Sequence, residues 1–220
     1  MILPMRPVSL FIFDLDGTLA NTLEDIADSV NYTLTRLGRE SLAVETVQRY
    51  VGDGILMLLN RACGGDAALA AEAEPIYSEH HRRNLVNHTT LYPSVKETLA
   101  YFSPLPMAVI TNKTRDFSEP ILERLGIRPF FSLVIGADSG LPLKPAPDSI
   151  LKIVNDFGVP KDRTVIVGDG TTDARAGKAS GIISCAVTYG FRSEEELRTA
   201  GPDHVIHEFS ALKELFAPEM

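Results

Sequence analysis

The chain has 220 residues, of which 45% are hydrophobic and 23% are charged. This composition is that of an ordinary globular protein and excludes collagen-like, low-complexity and wholly disordered chains. The 29 acidic side chains outnumber the 21 basic ones and give a formal net charge of -8. Because nucleic acids and anionic lipids are bound by basic surfaces, we expect neither as a partner.

The two cysteines, Cys63 and Cys185, lie far apart and neither has a CxxC partner. This pattern indicates buried, reduced thiols rather than a disulfide framework or a zinc site. No apolar run approaches the ~20 residues that cross a bilayer. The first residues also lack the charged and apolar regions of a signal peptide. We therefore expect a cytoplasmic protein with no membrane partner.

Short apolar runs alternate with helical patterns along most of the chain. Runs typical of strands that are buried on both faces occur at 8–15, 107–111, 133–136, 164–167, 182–187 and 204–206. Helical periodicity lies between them at 95–102, 117–125, 147–157 and 173–180. This alternation predicts an α/β fold with a doubly wound, Rossmann-like parallel sheet. In such sheets, ligands bind at the carboxyl ends of the strands.

Residues 21–87 break this alternation and show only helical periodicity. Leu23, Ile26, Val30 and Leu34 form an apolar stripe of the kind that packs one helix against others. Further helical segments follow at 44–50, 55–63 and 67–83. We predict a core domain of residues 1–20 and 88–220. A small helical cap domain of residues 21–87 is expected to cover the active edge of the core.

The first apolar run ends in Asp14-Leu15-Asp16-Gly17-Thr18. Two carboxylates at the end of a buried strand are costly unless they are paired, bound to a metal or neutralised. An ordinary turn is the alternative, since Asp and Gly are common in turns. This motif alone therefore does not decide between a turn and a functional site.

Three further segments carry polar side chains where strands end or helices begin. They are Thr111-Asn112-Lys113, Lys144-Pro145-Ala146-Pro147 and Gly168-Asp169-Gly170-Thr171-Thr172-Asp173. A parallel sheet brings these segments and Asp14-Leu15-Asp16 to one edge. The resulting carboxylates, hydroxyl and ammonium suit Mg²⁺, which prefers oxygen ligands, together with a phosphoryl group.

These four motifs, in this order, resemble those of the haloacid dehalogenase-like phosphohydrolases, and the resemblance extends over essentially the whole chain. The helical insertion resembles the first type of cap in that family. Tyr50-Val51-Gly52-Asp53-Gly54 and Leu91-Tyr92-Pro93 are most similar to its phosphoglycolate phosphatases. The resemblance implies a Mg²⁺-dependent hydrolase of a small phosphorylated metabolite, with 2-phosphoglycolate as the expected substrate.

Carried over by position, the resemblance makes Asp14 the nucleophile that forms an aspartyl phosphate. It makes Asp16 the general acid and base. Lys144 is expected to neutralise charge between Asp14 and the phosphate. Thr111 and the backbone of Asn112 are expected to hold phosphate oxygens.

The metal ligands that the resemblance implies are Asp14, the backbone carbonyl of Asp16 and Asp169, and Asp173 is expected either to ligate the metal or to orient its water ligands. Gly170 departs from the family pattern, in which Ser is common, and this puts the strength of metal binding in question. The loop Gly52-Asp53-Gly54 is expected to close on the leaving group of the substrate. An ordinary turn between helices is the alternative for that loop.

Several other functions remain open on the sequence. A phosphotransferase like β-phosphoglucomutase shares the four motifs, but that group carries a histidine early in the cap, and none precedes His80 here. A phosphonatase would need a cap lysine, which is absent between Thr18 and Tyr92. A dehalogenase would need neither Asp16 as an acid nor a metal site. A sugar-phosphate phosphatase, a pyrophosphatase and a catalytically silent phosphate-binding regulatory protein also remain.

Some polar residues near the motifs have simpler interpretations. Lys113 is expected to be solvated at the start of a loop. The histidines His80, His81 and His88 are interpreted as a surface cluster rather than as metal ligands.

Overall fold

The computed structural model describes residues 5–219. Its strands are β1 (Arg6–Val8), β2 (Leu10–Phe13), β3 (Ala20–Asn21), β4 (Thr90–Leu91), β5 (Met107–Ile110), β6 (Leu133–Ile135), β7 (Thr164–Gly168), β8 (Ile183–Val187), β9 (His204–Ile206) and β10 (Phe216–Pro218). Its helices are α1 (Leu23–Arg36), α2 (Val44–Tyr50), α3 (Ile55–Ala62), α4 (Ala67–Arg83), α5 (Val95–Tyr101), α6 (Arg115–Arg124), α7 (Asp148–Phe157), α8 (Thr171–Ser180), α9 (Glu194–Thr199) and α10 (Leu212–Leu215). Among these described helices, none has the length and apolar character needed to cross a membrane.

Within the described residues, six strands form a parallel sheet in the order β6-β5-β2-β7-β8-β9. The first of these strands in the chain, β2, lies between β5 and β7, with Phe13 level with Val109 and Val167. The chain moves outwards from β2 to β5 and β6, then returns to β7 on the other side. This reversal is the switch point at which doubly wound sheets bind ligands. The predicted α/β fold is confirmed.

Alternate side chains of β2 supply two separate cores. Phe11 and Phe13 are fully buried on one face, where α5, α6 and α10 also contribute. Leu10 and Ile12 are fully buried on the other face, against α7 and α8. Since helices cover both faces, the strand reads as a continuous apolar run instead of an alternating one.

The segment between β3 and β4 folds as helices α1 to α4. The predicted stripe on α1 is buried, with Ile26, Val30 and Leu34 each at most 2% exposed. Helix α4 packs against α1 and α3, and α2 packs against α1 and α3. The apolar periodicity of this segment is therefore satisfied mainly by the helices packing on one another.

The two connections between this helical segment and the sheet run side by side. Strands β3 and β4 are antiparallel, with Ala20 opposite Leu91. Asp25 on α1 anchors the returning chain, because its carboxylate accepts the backbone N–H of His88 (3.0 Å) and of Thr89 (2.8 Å) and the hydroxyl of Thr89 (2.6 Å). The chain thus enters and leaves the helical segment at adjacent points.

The interpretation of the histidines as a surface cluster is wrong for His81, which is 1% exposed. Its ring stacks on Tyr77 and meets the edge of Phe117, and its Nδ1 lies 3.1 Å from Ser29 Oγ. Burial lowers the pKa of His81 to about 2, so the ring is neutral. It joins α4 to α6 as a packed side chain. No histidine belongs to a cluster of metal-binding side chains within residues 5–219.

Candidate active site

The carboxyl ends of β2, β5 and β7 open onto a cleft between the sheet and helices α1, α3 and α4, with a cavity volume of about 170 Å³. The wall on the sheet side is lined mainly by Asp14, Asp16, Thr111, Asn112, Lys113, Phe117, Asp169 and the residues that follow it. The opposite wall is lined by Ile26, Val51, Gly52, Asp53, Gly54, Ile55, Leu58 and Tyr77. The motifs predicted to meet at this edge therefore do so, together with the loop predicted to close on them.

Asp14 is the first residue after β2, and the sheet fixes its backbone through a hydrogen bond from its N–H to Val167 O (2.9 Å). Lys144 Nζ lies 2.9 Å from Asp14 Oδ1. Two hydrogen bonds of this ammonium are directed to Ile110 O (2.8 Å) and Asp173 Oδ1 (2.6 Å). The third N–H of the ammonium remains for Asp14 Oδ1, which is buried, so the two groups form an ion pair.

The charge on Asp14 is opposed by its surroundings. Burial raises the pKa of Asp14 to about 7, although the neighbouring Lys144 ammonium acts in the opposite direction. Because Asp14 lines the cleft and its side chain is 14% exposed, the carboxylate can bond to phosphorus or to a cation.

Two more carboxylates gather beside Asp14. Asp169 follows β7, and Asp173 lies in the first turn of α8. One oxygen atom from each of Asp14, Asp169 and Asp173 lies within 4.8 Å of the other two. Burial and, to a smaller extent, the charge of Asp14 raise the pKa of Asp169 to about 8. The hydroxyl of Thr18 (3.1 Å) and the N–H of Phe191 (2.7 Å) donate to Asp169 and orient it.

These three carboxylates fit a divalent cation that prefers oxygen ligands. Lys144 is the ammonium that contacts both Asp14 and Asp173, and one positive charge shared in this way does not balance three buried carboxylates. Gly17 makes the close approach possible, because a Cβ atom at this position would lie 2.1 Å from Asp169 Oδ2. Mg²⁺, which is small and takes carboxylates and water, suits this donor set.

Asp16 lines the cleft, but its carboxylate is separate from the cluster of three. The hydroxyl of Thr22 donates to Asp16 Oδ1 at 2.6 Å. Lys113 Nζ lies 2.9 Å and 3.2 Å from the two Asp16 oxygens, and its side chain is only 8% exposed. The expectation that Lys113 is solvated is therefore wrong. Its position directly after Thr111 and Asn112 is the sequence signal that could have placed it in the site.

Thr111 and Asn112 are buried at the end of β5 and line the cleft. The side chain of Asn112 joins three segments, since Nδ2 donates to Gly52 O (2.9 Å) and Lys144 O (3.0 Å), and Oδ1 accepts from Lys144 N–H (2.9 Å). Because the protein itself occupies this side chain, the backbone of Asn112 is the part that remains for a ligand.

The loop Gly52-Asp53-Gly54 lines the cleft from the cap side. Gly52 has φ of +118° and Gly54 has φ of +89°, values that favour glycine. The carboxylate of Asp53 is bound by Arg61 Nη2 at 2.6 Å. The structure thus directs the Asp53 charge towards α3 and leaves mainly backbone groups of this loop facing the cleft.

Gly170, at which the sequence departs from the expected motif, caps the start of α8 through its backbone. Its N–H donates to Asp173 Oδ2 at 3.0 Å. A Cβ atom at this position would lie 2.9 Å from Asp173 Oδ2 and 2.9 Å from Thr172 Oγ1. In this chain, Asp173 is therefore oriented without a hydroxyl at position 170.

Tyr77, Phe191 and Arg192 are among the cleft residues that sequence reasoning missed. Tyr77 lies within the periodic pattern of α4, where nothing distinguishes it from core residues. Phe191 and Arg192 lie between β8 and α9, outside all four motifs. Only the folded chain brings them to the site.

Comparison with known proteins agrees with the site. The profile of the family described as haloacid dehalogenase-like hydrolase matches residues 11–187. The chain belongs to the haloacid dehalogenase-like hydrolases. The phosphoglycolate phosphatase of Chromobacterium violaceum is 32% identical over 219 residues, covering 96% of this chain and 97% of the relative. The resemblance read from the four motifs is confirmed.

Other members of this hydrolase family match the chain over most of its length. The phosphoglycolate phosphatase of Pseudomonas putida is 35% identical over 216 residues, covering 92% of this chain and 78% of the relative. A crystal structure of a predicted phosphoglycolate phosphatase from Haemophilus somnus has a TM-score of 0.90 at 29% identity, covering 96% of this chain and 99% of that one. The similarity thus includes the helical segment as well as the sheet.

Proposed function

We propose that this chain is a Mg²⁺-dependent phosphomonoester hydrolase that converts 2-phosphoglycolate into glycolate and phosphate. The chemistry is supported above all by the ion pair of Asp14 and Lys144, in which Nζ lies 2.9 Å from Asp14 Oδ1 at the switch point of the sheet. The choice of substrate is supported by the names of the Chromobacterium and Pseudomonas relatives.

In the first step, a carboxylate oxygen of Asp14 attacks phosphorus, and the bond from phosphorus to the ester oxygen breaks. The product on the enzyme is an aspartyl phosphate. The ammonium of Lys144 reduces the repulsion between the Asp14 carboxylate and the phosphate dianion. The hydroxyl of Thr111 and the N–H of Asn112 donate to phosphate oxygens.

Asp16 moves the protons of both steps. It donates a proton to the departing alkoxide, which leaves as the hydroxyl of glycolate. It then takes a proton from the water that attacks the aspartyl phosphate, which restores Asp14 and releases phosphate. The hydrogen bonds from Thr22 and Lys113 fix the direction of this carboxylate.

The carboxylates of Asp14, Asp169 and Asp173, with the backbone carbonyl of Asp16, would hold Mg²⁺. When bound, the ion supplies positive charge that stabilises the transferring phosphoryl group. The raised pKa values of Asp14 and Asp169 support this, since burial and then neighbouring carboxylates oppose their negative charge, which a cation would stabilise.

The carboxylate of the leaving group needs a positive partner. Among described residues, the basic side chains that line the cleft are Lys113 and Arg192. The donors of Arg192 are directed to backbone carbonyls of the cap. The ammonium of Lys113 has three N–H groups, and the Asp16 carboxylate accepts at most two of them. We assign the remaining one to the leaving-group carboxylate.

Two further expectations from the sequence stay proposals. The division into a core of residues 1–20 and 88–220 and a cap of residues 21–87 is supported by the pairing of β3 with β4 at the junction. A cytoplasmic location is supported by Cys63 and Cys185, which are buried free thiols.

The proposal is tested by phosphate release from a panel of esters with and without Mg²⁺. The panel contains 2-phosphoglycolate, glucose 1-phosphate, pyrophosphate and 2-hydroxyethyl phosphate, an analogue in which a hydroxymethyl group replaces the carboxylate of 2-phosphoglycolate. We expect the highest kcat/KM for 2-phosphoglycolate and no turnover after chelation. Equal kcat/KM values for 2-phosphoglycolate and 2-hydroxyethyl phosphate would contradict the proposed substrate. Isomerisation of glucose 1-phosphate would indicate a phosphotransferase.

A further inference from the structure

The cap loop, residues 51–54, follows α2. Three consecutive carbonyls, from the last residue of α2 to the second residue of this loop, are each bound by a different side chain. Arg61 of α3 donates to Tyr50 O at 2.9 Å. Asn112, at the end of β5, donates to Gly52 O at 2.9 Å. The carbonyl between them, Val51 O, accepts from Arg192 Nη2. The loop is thus held from the cap and from two separate segments of the core.

Arg192 also contacts two further backbone carbonyls, which Arg61 and Asn112 do not bind. Its Nη1 donates to Gln48 O at 3.0 Å, and its Nη2 also lies 3.3 Å from Arg49 O. The carbonyls of Gln48 and Arg49 lie in the last turn of α2, where C=O groups carry partial negative charge, and Gln48 O also accepts the N–H of Val51 at 3.3 Å. A planar guanidinium with five N–H groups can serve several of them together.

The contact between Arg192 and the end of α2 is reinforced by a hydrogen bond in the opposite direction. Gln48 Nε2 donates to Phe191 O at 2.9 Å. Neighbouring side chains and carbonyls of core and cap therefore exchange donors and acceptors. The interaction is a two-way contact and involves no ionised partner for the guanidinium among the described residues, so it depends on geometry as well as on charge.

The same segment reaches the metal site. The N–H of Phe191 donates to Asp169 Oδ2 at 2.7 Å, and Arg192 is the next residue along the chain. Two adjacent residues thus contact a carboxylate of the acidic cluster on one side and the cap loop on the other. No sequence motif includes either of them.

We propose that Arg192 is a positioning residue that sets the place of cap loop 51–54 above the cleft and so governs which leaving groups fit. It acts through the loop and does not contact the reacting atoms. The kinetic part of this inference rests on the proposed phosphatase function, whereas its structural part does not.

The test compares Arg192→Ala, Arg192→Lys and Gln48→Ala with the unaltered chain. The control is Arg198→Ala, which removes an exposed arginine that pairs with Glu194 on α9. Hydrogen exchange of residues 48–56 reports the position of the loop. The kcat and KM values for 2-phosphoglycolate and for p-nitrophenyl phosphate report selectivity.

We expect Arg192→Ala to raise exchange in residues 48–56 and to lower kcat/KM for 2-phosphoglycolate about tenfold or more, mainly through KM. The aryl ester, which needs fewer contacts to its leaving group, should lose much less. For Arg192→Lys, exchange and kcat/KM should lie between those of Arg192→Ala and the unaltered chain, because an ammonium cannot bind several carbonyls in the geometry of a planar guanidinium. Gln48→Ala should show a smaller change in the same direction, and Arg198→Ala none.

Equal losses for both esters, or raised exchange with an unchanged ratio, would overturn the selectivity role. Unchanged exchange and kinetics in Arg192→Ala would overturn the inference as a whole. If that variant does not fold, Arg192→Lys and Gln48→Ala carry the same comparison. If the unaltered chain does not prefer 2-phosphoglycolate, the proposed substrate fails, and the ratio is then measured with the ester it does prefer.

Discussion

The two walls of the cleft are built from different materials. The core wall presents ionisable groups, namely Asp14, Asp16, Lys113 and Asp169, each at or beside the end of a parallel strand. The cap wall presents the apolar side chains of Ile26, Leu58 and Tyr77 and the backbone of a glycine-containing loop. The ionisable groups that can react are thus concentrated on the core wall, whereas the cap wall determines the shape of the space for the substrate.

This difference separates reaction from selection. The register of β2 with β5 and β7 fixes the core groups, so they lie in one place whatever the substrate is. The cap loop is held by side-chain contacts that are individually replaceable. Changes in the core wall should therefore affect all esters, and changes in the cap wall should alter the ratio between them.

The largest effect is expected for Asp14→Asn, which should abolish turnover of every ester. An amide is a poor nucleophile towards phosphorus and cannot form the acyl phosphate. The isosteric side chain leaves the strand end intact, so circular dichroism should be unchanged. Phosphate release from 2-phosphoglycolate and from p-nitrophenyl phosphate measures the loss, and steady turnover of either ester would exclude the aspartyl-phosphate route.

A smaller loss, which depends on the ester, is expected for Asp16→Asn. Without a proton donor, kcat for an alkyl ester should fall by about 10²- to 10⁴-fold. A phenolate leaves without much help, so p-nitrophenyl phosphate should be less affected. The affinity for Mg²⁺, measured by calorimetry, should change little, because this carboxylate lies outside the cluster of three. Losses of the same size for both esters would count against the acid role.

Lys113→Met tests the division of roles between the two walls, since Lys113 lies in the core wall although we assign it a role in selection. Removing a charged hydrogen bond should lower kcat/KM for 2-phosphoglycolate relative to 2-hydroxyethyl phosphate about 10- to 100-fold. Because 2-hydroxyethyl phosphate lacks the carboxylate, its kcat/KM reports any displacement of Asp16 separately. Lys152→Met, in an exposed pair with Asp156, serves as the control variant. If the ratio stays constant, selection belongs to the cap alone.

Gly52→Val tests the cap wall. The φ of +118° at Gly52 is unfavourable for a β-branched residue, and the added side chain would point towards Arg192. We expect kcat/KM for 2-phosphoglycolate to fall about tenfold more than that for p-nitrophenyl phosphate.

A matched control separates strain from position. Gly64 has φ of +72°, and no atom lies within 4 Å of the place that a Cβ atom would take, so Gly64→Val introduces backbone strain away from the cleft. Both variants should lose about 1 to 3 kcal/mol of stability. Only Gly52→Val should change the ester ratio. The same change in both would mean that the loop is an ordinary turn.

The smallest effect concerns stability and pH. Because the pKa values of Asp14 and Asp169 are raised to about 7 and about 8, the metal-free fold is favoured below their ordinary value of 3.8. That contribution is lost as the pH rises through 7 and 8. Mg²⁺ should therefore raise Tm more at pH 8 than at pH 5, as scanning calorimetry can measure. Asp169→Asn should remove most of this difference, and an equal Tm increment at both pH values would contradict the metal assignment.

Much of the core is predictable from the sequence, because its pattern is local. The long apolar runs indicate the strands of the main sheet, and the order of four polar motifs places Asp14, Thr111, Lys144 and Asp169 at one edge. The short strands β3, β4, β1 and β10 escape prediction, since β3 and β4 have only two residues and a proline interrupts the apolar character of β1 and β10. Helix α6 begins at Arg115, so Pro120 lies beyond its first turn, although a first-turn position is the usual expectation for proline.

The rest of the site depends on contacts between distant segments. Lys113 looks like any loop lysine until Asp16, far from it in sequence, is placed beside it. His81 looks exposed until α6 covers it. Arg192 follows no motif, and its partners are carbonyls, which every sequence has. Such residues are defined by tertiary distance, which local patterns do not contain.

The pairing of β3 with β4 bears on how such enzymes diversify. Paired strands lie about 5 Å apart, so the core requires of any insertion only that its two ends meet that spacing. Ala20 and Leu91 supply the two attachment points, and Asp25 fastens the first helix to the returning chain. A different insertion joined at these two points would change the wall that faces Asp14 and Asp169 without altering the strand ends that carry them.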